Sequence, residues 1–210
     1  MQKLNVTVEN LDSGGLIPAE FAFGVPAEDE LFTFGPNISP EIKWNPGPEG
    51  TQSYCIIMHD ASVPTVFDNA NQIGKTISAN LARMDFYHWV LIDIPKEIIC
   101  ISRGSESTSV VAKGKPIGPV PYGVRGANDF GMFMASNEEM AGNYGGYDGP
   151  APPWNDEIMH EYYFTVYALD TESIGLNGVF GGKEVLSAVD NHIIAQGSVM
   201  GLYTLTPNLR

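Results

Sequence analysis

The 210 residues allow one large domain or two small ones, and with 43% apolar side chains they can fill a real core, which argues against disorder. Eleven basic residues against 25 acidic give a net charge of −14, and there is no basic cluster. That excludes a protein that grips nucleic acid by its phosphates, because such affinity comes chiefly from Lys and Arg. The 23 glycines and 15 prolines indicate a turn-rich chain.

In chain order, MQKLNVTVENLDSGG lacks the uninterrupted apolar stretch of a secretory leader. No window approaches the roughly 18 consecutive apolar residues of a membrane-spanning helix. The expectation is a soluble, cytoplasmic protein without integral membrane association. Within that terminus KLNVTVENL alternates as a half-buried strand does, placing Leu4, Val6 and Val8 on one face. Further strands are predicted over 53–58, 88–94 and 162–169, which are short and rich in Ile, Val, Tyr and Phe. Between them GPNISPEIKWNPGPEGT, GKPIGPVPYG and NYGGYDGPAPPW read as loops. Helices are predicted over 71–84, 136–141 and 182–191, the last with Val185 and Val189 four apart. Many strands and few helices favour a mainly β fold, an antiparallel β-sandwich with a few short peripheral helices, over a doubly wound sheet. No linker or repeat divides it, so residues 1–210 read as one domain. Cys55 and Cys100 each sit in an apolar run and are expected to be buried thiols.

Three of the four histidines, His59, His88 and His160, fall at predicted strand or loop edges beside polar or aromatic groups. His88 and His160 would then share one rim of the sandwich, where loops gather. The GPAPP run from Gly149 to Pro153 combines two consecutive prolines with small residues, which suits a stiff pocket wall. Asp60, His88 and His160, with Ser62 as nucleophile or with a metal, would make a hydrolase constellation. No G-x-S-x-G, H-E-x-x-H, G-x-x-x-x-G-K-[ST] or paired C-x-x-C supports it, so neither an enzyme nor a cofactor is expected. Asp148, Asp156 and Glu157 lack a calcium-loop pattern and read as a solvated face.

Taken together, GGLIPAEF, GPNISPEIKW, PEGTQSY, MHDASVP, YHWVLIDIP, GANDFG with GGYDGPAPP, HEYYFTVYALD and HIIAQGSVMGLYTL, in that order, resemble the phosphatidylethanolamine-binding protein family, in particular its bacterial, Raf kinase inhibitor-like branch. The resemblance implies an antiparallel sandwich with a small anion-accepting cavity for phosphate-bearing groups. On the matching motif positions Asp60 is the cavity carboxylate, His88 and Trp89 form the His-Trp pair, Ala151 and Pro153 are wall residues, and His160 and Tyr162 contact the ligand. It also implies a homodimer and, by analogy with eukaryotic relatives, a protein kinase or peptidase partner for an interaction protein with a vestigial pocket.

Three departures stand out. The family's usual Asp-Pro-Asp-Ala-Pro reads Asp60-Ala61-Ser62-Val63-Pro64, which removes a carboxylate and a proline. Glu161 stands where the family commonly has arginine, so a structural ion pair is expected to be missing. Residues 64–86 and 113–147 are long, and are expected to cover, reshape or block the cavity mouth. With imidazoles and a phenol in place of a Lys or Arg clamp, anion binding is expected to tighten as pH falls below neutral. A polar network that merely ties two sheets together is the structural alternative.

Overall fold

Successive side chains of a strand point to opposite faces, and the two longest strands form where near-continuous apolar runs allow both faces to be buried. The computed structural model describes residues 2–28 and 31–210. Its strands are β1 (Gln2–Lys3), β2 (Val6–Val8), β3 (Gly15–Leu16), β4 (Gly24–Val25), β5 (Thr33–Phe34), β6 (Ile42–Trp44), β7 (Ser53–Pro64), β8 (Arg83–Pro95), β9 (Cys100–Ile101), β10 (Gly118–Val120), β11 (Gly123–Arg125), β12 (His160–Leu169) and β13 (Ile193–Tyr203). The α-helices are α1 (Phe130–Phe133) and α2 (Gly182–Val189).

The large sheet runs β1-β13-β12-β7-β8-β11-β10, with β3 also on β13. Its long central pairs are antiparallel, whereas β1 and β3 each join β13 in parallel. A small sheet, β2-β6-β9, packs on one face, and β4-β5 form a separate ribbon. Between the two sheets Tyr54, Ile56 and Met58 of β7 and Phe164, Val166 and Ala168 of β12 share a core with Val8, Ile42, Trp44 and Ile101. Leu4 and Val8 are buried in it and Val6 packs against it, as the alternation predicts. On the other face Cys55, Ile57, Val90 and Ile92 lie with Val185 and Val189 of α2. No helix is long and apolar enough to cross a membrane among the described residues.

Several expectations need correction. Residues 71–84 form turns that lead into β8, because Asn71 (φ 57°) and Gly74 (φ 74°) adopt left-handed backbone that interrupts a helix. Residues 136–141 are turns as well: the Asn137 side chain accepts the Glu139 and Met140 amides, a local closure that competes with helical bonding. GKPIGPVPYG holds β10 and the start of β11, a hairpin in which Pro119 is tolerated because β10 is the sheet's edge. The stretch 35–51 contains β6. Cys55 is buried, and burial pushes its thiol up, but Cys100 on β9 is only half-buried.

Candidate functional site

The inward row of β7 reads Tyr54, Ile56, Met58 and then Asp60, and that of β12 reads Ala168, Val166, Phe164, Tyr162 and His160. Tyr162 stands directly across from Asp60 in the antiparallel register. The period that fills the core therefore also carries an acid, a phenol and an imidazole to one end of the sheet. His88 arrives by another device. Met58 faces Trp89 and His59 faces Tyr87, so His88 is the extra residue of a bulge in β8, and bulges re-aim side chains.

These groups border a cavity of about 50 Å³, whose other walls include Phe86, Phe130, Ala151 and Pro153. A water needs roughly 10–15 Å³ on this scale, so the space admits a few waters or the head of one small ligand. Six of the seven residues expected at the site line it: Asp60, His88, Ala151, Pro153, His160 and Tyr162. Trp89 does not, because its indole is fully buried in the main core and donates to Glu106 Oε2 at 3.0 Å. His59, next to Asp60 in sequence, is carried by the strand alternation to the opposite face, where it stacks on Tyr163 at 5.4 Å between ring centroids.

Beside the cavity runs a chain of four alternating charges. Arg83 binds Asp156 in bidentate fashion at 2.6 and 3.0 Å. His160 places Nε2 3.1 Å from Asp156 and Nδ1 2.7 Å from Asp60. Burial opposes charge on this imidazole, but the two carboxylates overcome it and hold its pKa up at about 9. For Asp156, burial raises the pKa, yet hydrogen bonds from His160 and Arg83 bring it below the usual carboxylate range. The Ser62 amide donates to Asp60 Oδ1 at 2.7 Å, and the Ser62 hydroxyl accepts the Glu161 amide. Ser62 is thus a brace for Asp60, and no hydrogen bond joins it to either histidine among the described residues. Arg83 supplies a guanidinium to this end of the sheet, and Glu161 accepts the Tyr163 hydroxyl.

His88 Nδ1 lies 2.8 Å from the Asp148 carbonyl, so that nitrogen carries a proton and the other ring nitrogen remains for the cavity. Burial lowers the His88 pKa, against the opposing pull of Asp60 and Asp148. Asp148 and Asp156 are not a solvated face: both are buried, and only Glu157 is exposed. Asp148 accepts from Lys115 at 2.6 Å, Asn37 at 2.8 Å and Asn128 at 2.9 Å, which anchors the GPAPP loop. Gly149 is required there, since a Cβ would strike the Phe21 carbonyl. The two long segments supply walls: Phe67, Ala70 and Asn71 come from one, Phe130 and Phe133 from the other. Sequence reasoning assigned none of these side chains to the site, nor Arg83, although Phe130 lies in the GANDFG motif. Among the described residues no group of three or more His, Cys, Asp or Glu side chains is arranged so that it could hold a metal ion.

The chain is similar to known proteins over almost its whole length. A UPF0098 protein of Aquifex aeolicus is 34% identical over 205 residues, which is 95% of this chain and 96% of that protein. The UPF0098 protein YbhB of Escherichia coli is 28% identical over 93% of this chain and 96% of its own length. The crystal structure of E. coli YbcL, described as a new member of the mammalian PEBP family, shares the fold with a TM-score of 0.67 over 96% of this chain and 98% of that one, at 23% identity. The family model described as phosphatidylethanolamine-binding protein matches residues 7–204, from β2 to just past β13. The chain belongs to the phosphatidylethanolamine-binding protein family.

Proposed function

We propose that the chain is a small-ligand binding protein whose cavity receives an oxyanion, the phosphate of a monoester or of a phospholipid head group, between Tyr162, His88 and the wall formed by Ala151 and Pro153. The observation that carries this reading is the Tyr162 hydroxyl, which is buried at the cavity beside the Asp60 carboxylate and makes no hydrogen bond of good geometry among the described residues. An unpaired buried hydroxyl costs about 1–3 kcal/mol, and a ligand oxygen is a partner that would recover it. His88 complements it: neutral, the ring offers a lone pair, and protonated it offers a second N–H to the anion. Asp60 would repel an anion if it stood alone, but its charge is matched by His160, and that of Asp156 by Arg83.

The test is calorimetric titration of the protein and of Tyr162→Phe with inorganic phosphate and phosphoethanolamine. The variant is expected to melt no lower than the parent, since it removes an unsatisfied group, and to lose about tenfold or more in affinity, the worth of one hydrogen bond to a charged partner. Unchanged affinity would move the anion site elsewhere.

A second reading, a polar network that ties the sheet end together, is favoured by one observation: the chain from Arg83 to Asp60 is complete without a ligand. Under that reading the parent binds neither phosphate nor phosphoethanolamine.

A further inference from the structure

The cavity is too small for a whole phosphomonoester, so whatever the phosphate carries must lie in its mouth. Two phenylalanines stand there. Phe67 and Phe133 both border the cavity, and they come from separate segments of chain. Their ring centroids are 6.4 Å apart with planes inclined at 55°. They remain 40% and 51% exposed, although each ring has apolar surface that water leaves unfavourably solvated. Behind them Phe86 and Phe130 continue the apolar lining, with Phe130 edge-on to Phe133 at 6.4 Å. No Lys or Arg lines the cavity among the described residues. The two nearby cations are committed: Arg83 to Asp156 and Lys115 to Asp148. The opening thus offers mainly aromatic faces and edges, with the exposed Asn71 side chain beside them, while the ionisable groups lie at the floor.

We infer that the ligand is a small aromatic phosphomonoester, with its phosphate on the floor at Tyr162 and His88 and its ring against Phe67 and Phe133. This rests on the oxyanion reading and adds the identity of the substituent. A bare phosphate leaves the two rings as exposed as before. An ethanolamine arm brings an ammonium that must shed part of its hydration among apolar walls. A flat ring instead buries apolar area on both partners and finds the offset or edge contacts that aromatic pairs prefer.

The experiment titrates inorganic phosphate, phosphoethanolamine and phenyl phosphate into the protein at about pH 6, where imidazole protonation is accessible, and repeats this on Phe67→Ala, Phe133→Ala and the double variant. Both rings are partly exposed, so the variants are expected to fold, with melting curves as the check. Phenyl phosphate is expected to bind about tenfold tighter than inorganic phosphate, as burial of some 50–60 Å² of apolar surface implies. That advantage should vanish in the double variant, where phenyl phosphate is expected to bind no tighter than inorganic phosphate. If inorganic phosphate binds and phenyl phosphate gains nothing, or if the gain survives in the double variant, the aromatic assignment falls and the oxyanion reading stands. If neither compound binds, the oxyanion reading falls and the assignment falls with it.

Discussion

His160 has one ring nitrogen on Asp60 and the other on Asp156, so its two N–H groups are already spent inside the protein and its chemistry is that of a fixed cation. Its folded pKa of about 9 exceeds the ordinary value of 6.5. The stability it contributes is therefore fully present below pH 6.5 and is lost as pH rises through about 9. A tenfold difference in proton affinity between the folded and unfolded chain is worth about 1.4 kcal/mol, so urea unfolding should show stability falling by up to about 3 kcal/mol across that window. The slope should disappear in His160→Asn. A parent whose stability is level between those limits would mean that the ring is neutral when folded. His88 titrates the other way: burial holds its pKa below 6.5, so binding an anion draws in a proton. Sulfate, which does not itself titrate near neutrality, isolates this effect. Its affinity should rise as pH drops below about 6.5, by at most tenfold per pH unit, and should lose that dependence in His88→Gln. A pH-independent sulfate affinity in the parent would remove His88 from the anion site.

At the scale of elements, one side chain gathers the tip of the segment between β7 and β8, whose later part is tied by the backbone pairs of Ile77 with Asn155 and Glu157 and by the Ala79 amide on Glu157. Buried Asn155 donates to the carbonyls of Asn69 at 2.9 Å and Lys75 at 3.0 Å and accepts the Asn71 amide at 3.0 Å. In return Asn71 accepts the Trp154 amide. Asn155→Ala strips these contacts, and a longer one to the Gln72 carbonyl, at once, and should cost about 1–3 kcal/mol. Amide exchange should accelerate at Asn71 and Ile77 while β7 and β12 keep their protection; acceleration spread evenly over the whole sheet would show that the segment is not a separate unit. The sequence has no local sign of this staple, since an Asn beside a Trp does not say which carbonyls it will meet. What composition encodes was legible: the strands β7, β8 and β12, although each runs past its predicted bounds, while Asp60 and Tyr162 were reached by motif resemblance and their pairing comes from the register. The period-two rule fails at His88, whose placement depends on a bulge defined jointly by two strands. It also fails at Asp148 and Asp156, whose acidity suggested solvent although partners distant in sequence, Lys115 and Arg83, bury them. Motif resemblance reached His88, Ala151 and Pro153, yet could not tell that Trp89 turns into the core.

For the molecule as a whole, a net charge of −14 sets a field that opposes any approaching anion, whereas the charges nearest the cavity cancel in pairs, Asp60 with His160 and Asp156 with Arg83. Short-range attraction from hydrogen bonds and long-range repulsion from the surface then respond differently to salt. Raising ionic strength from about 0.02 to 0.2 M shortens the screening length from about 20 Å to about 7 Å, which mutes the distant acids but hardly touches contacts on the buried floor of the cavity. Phosphate affinity at fixed pH should therefore hold steady or rise, by up to about threefold, when the added salt is sodium gluconate, whose anion is too bulky for a space of about 50 Å³. A site built on a Lys or Arg clamp behaves oppositely, because its attraction is the part that salt screens. A clear fall in affinity over that range would show that a cation outside the cavity, rather than the Tyr162 hydroxyl and the His88 ring, holds the phosphate.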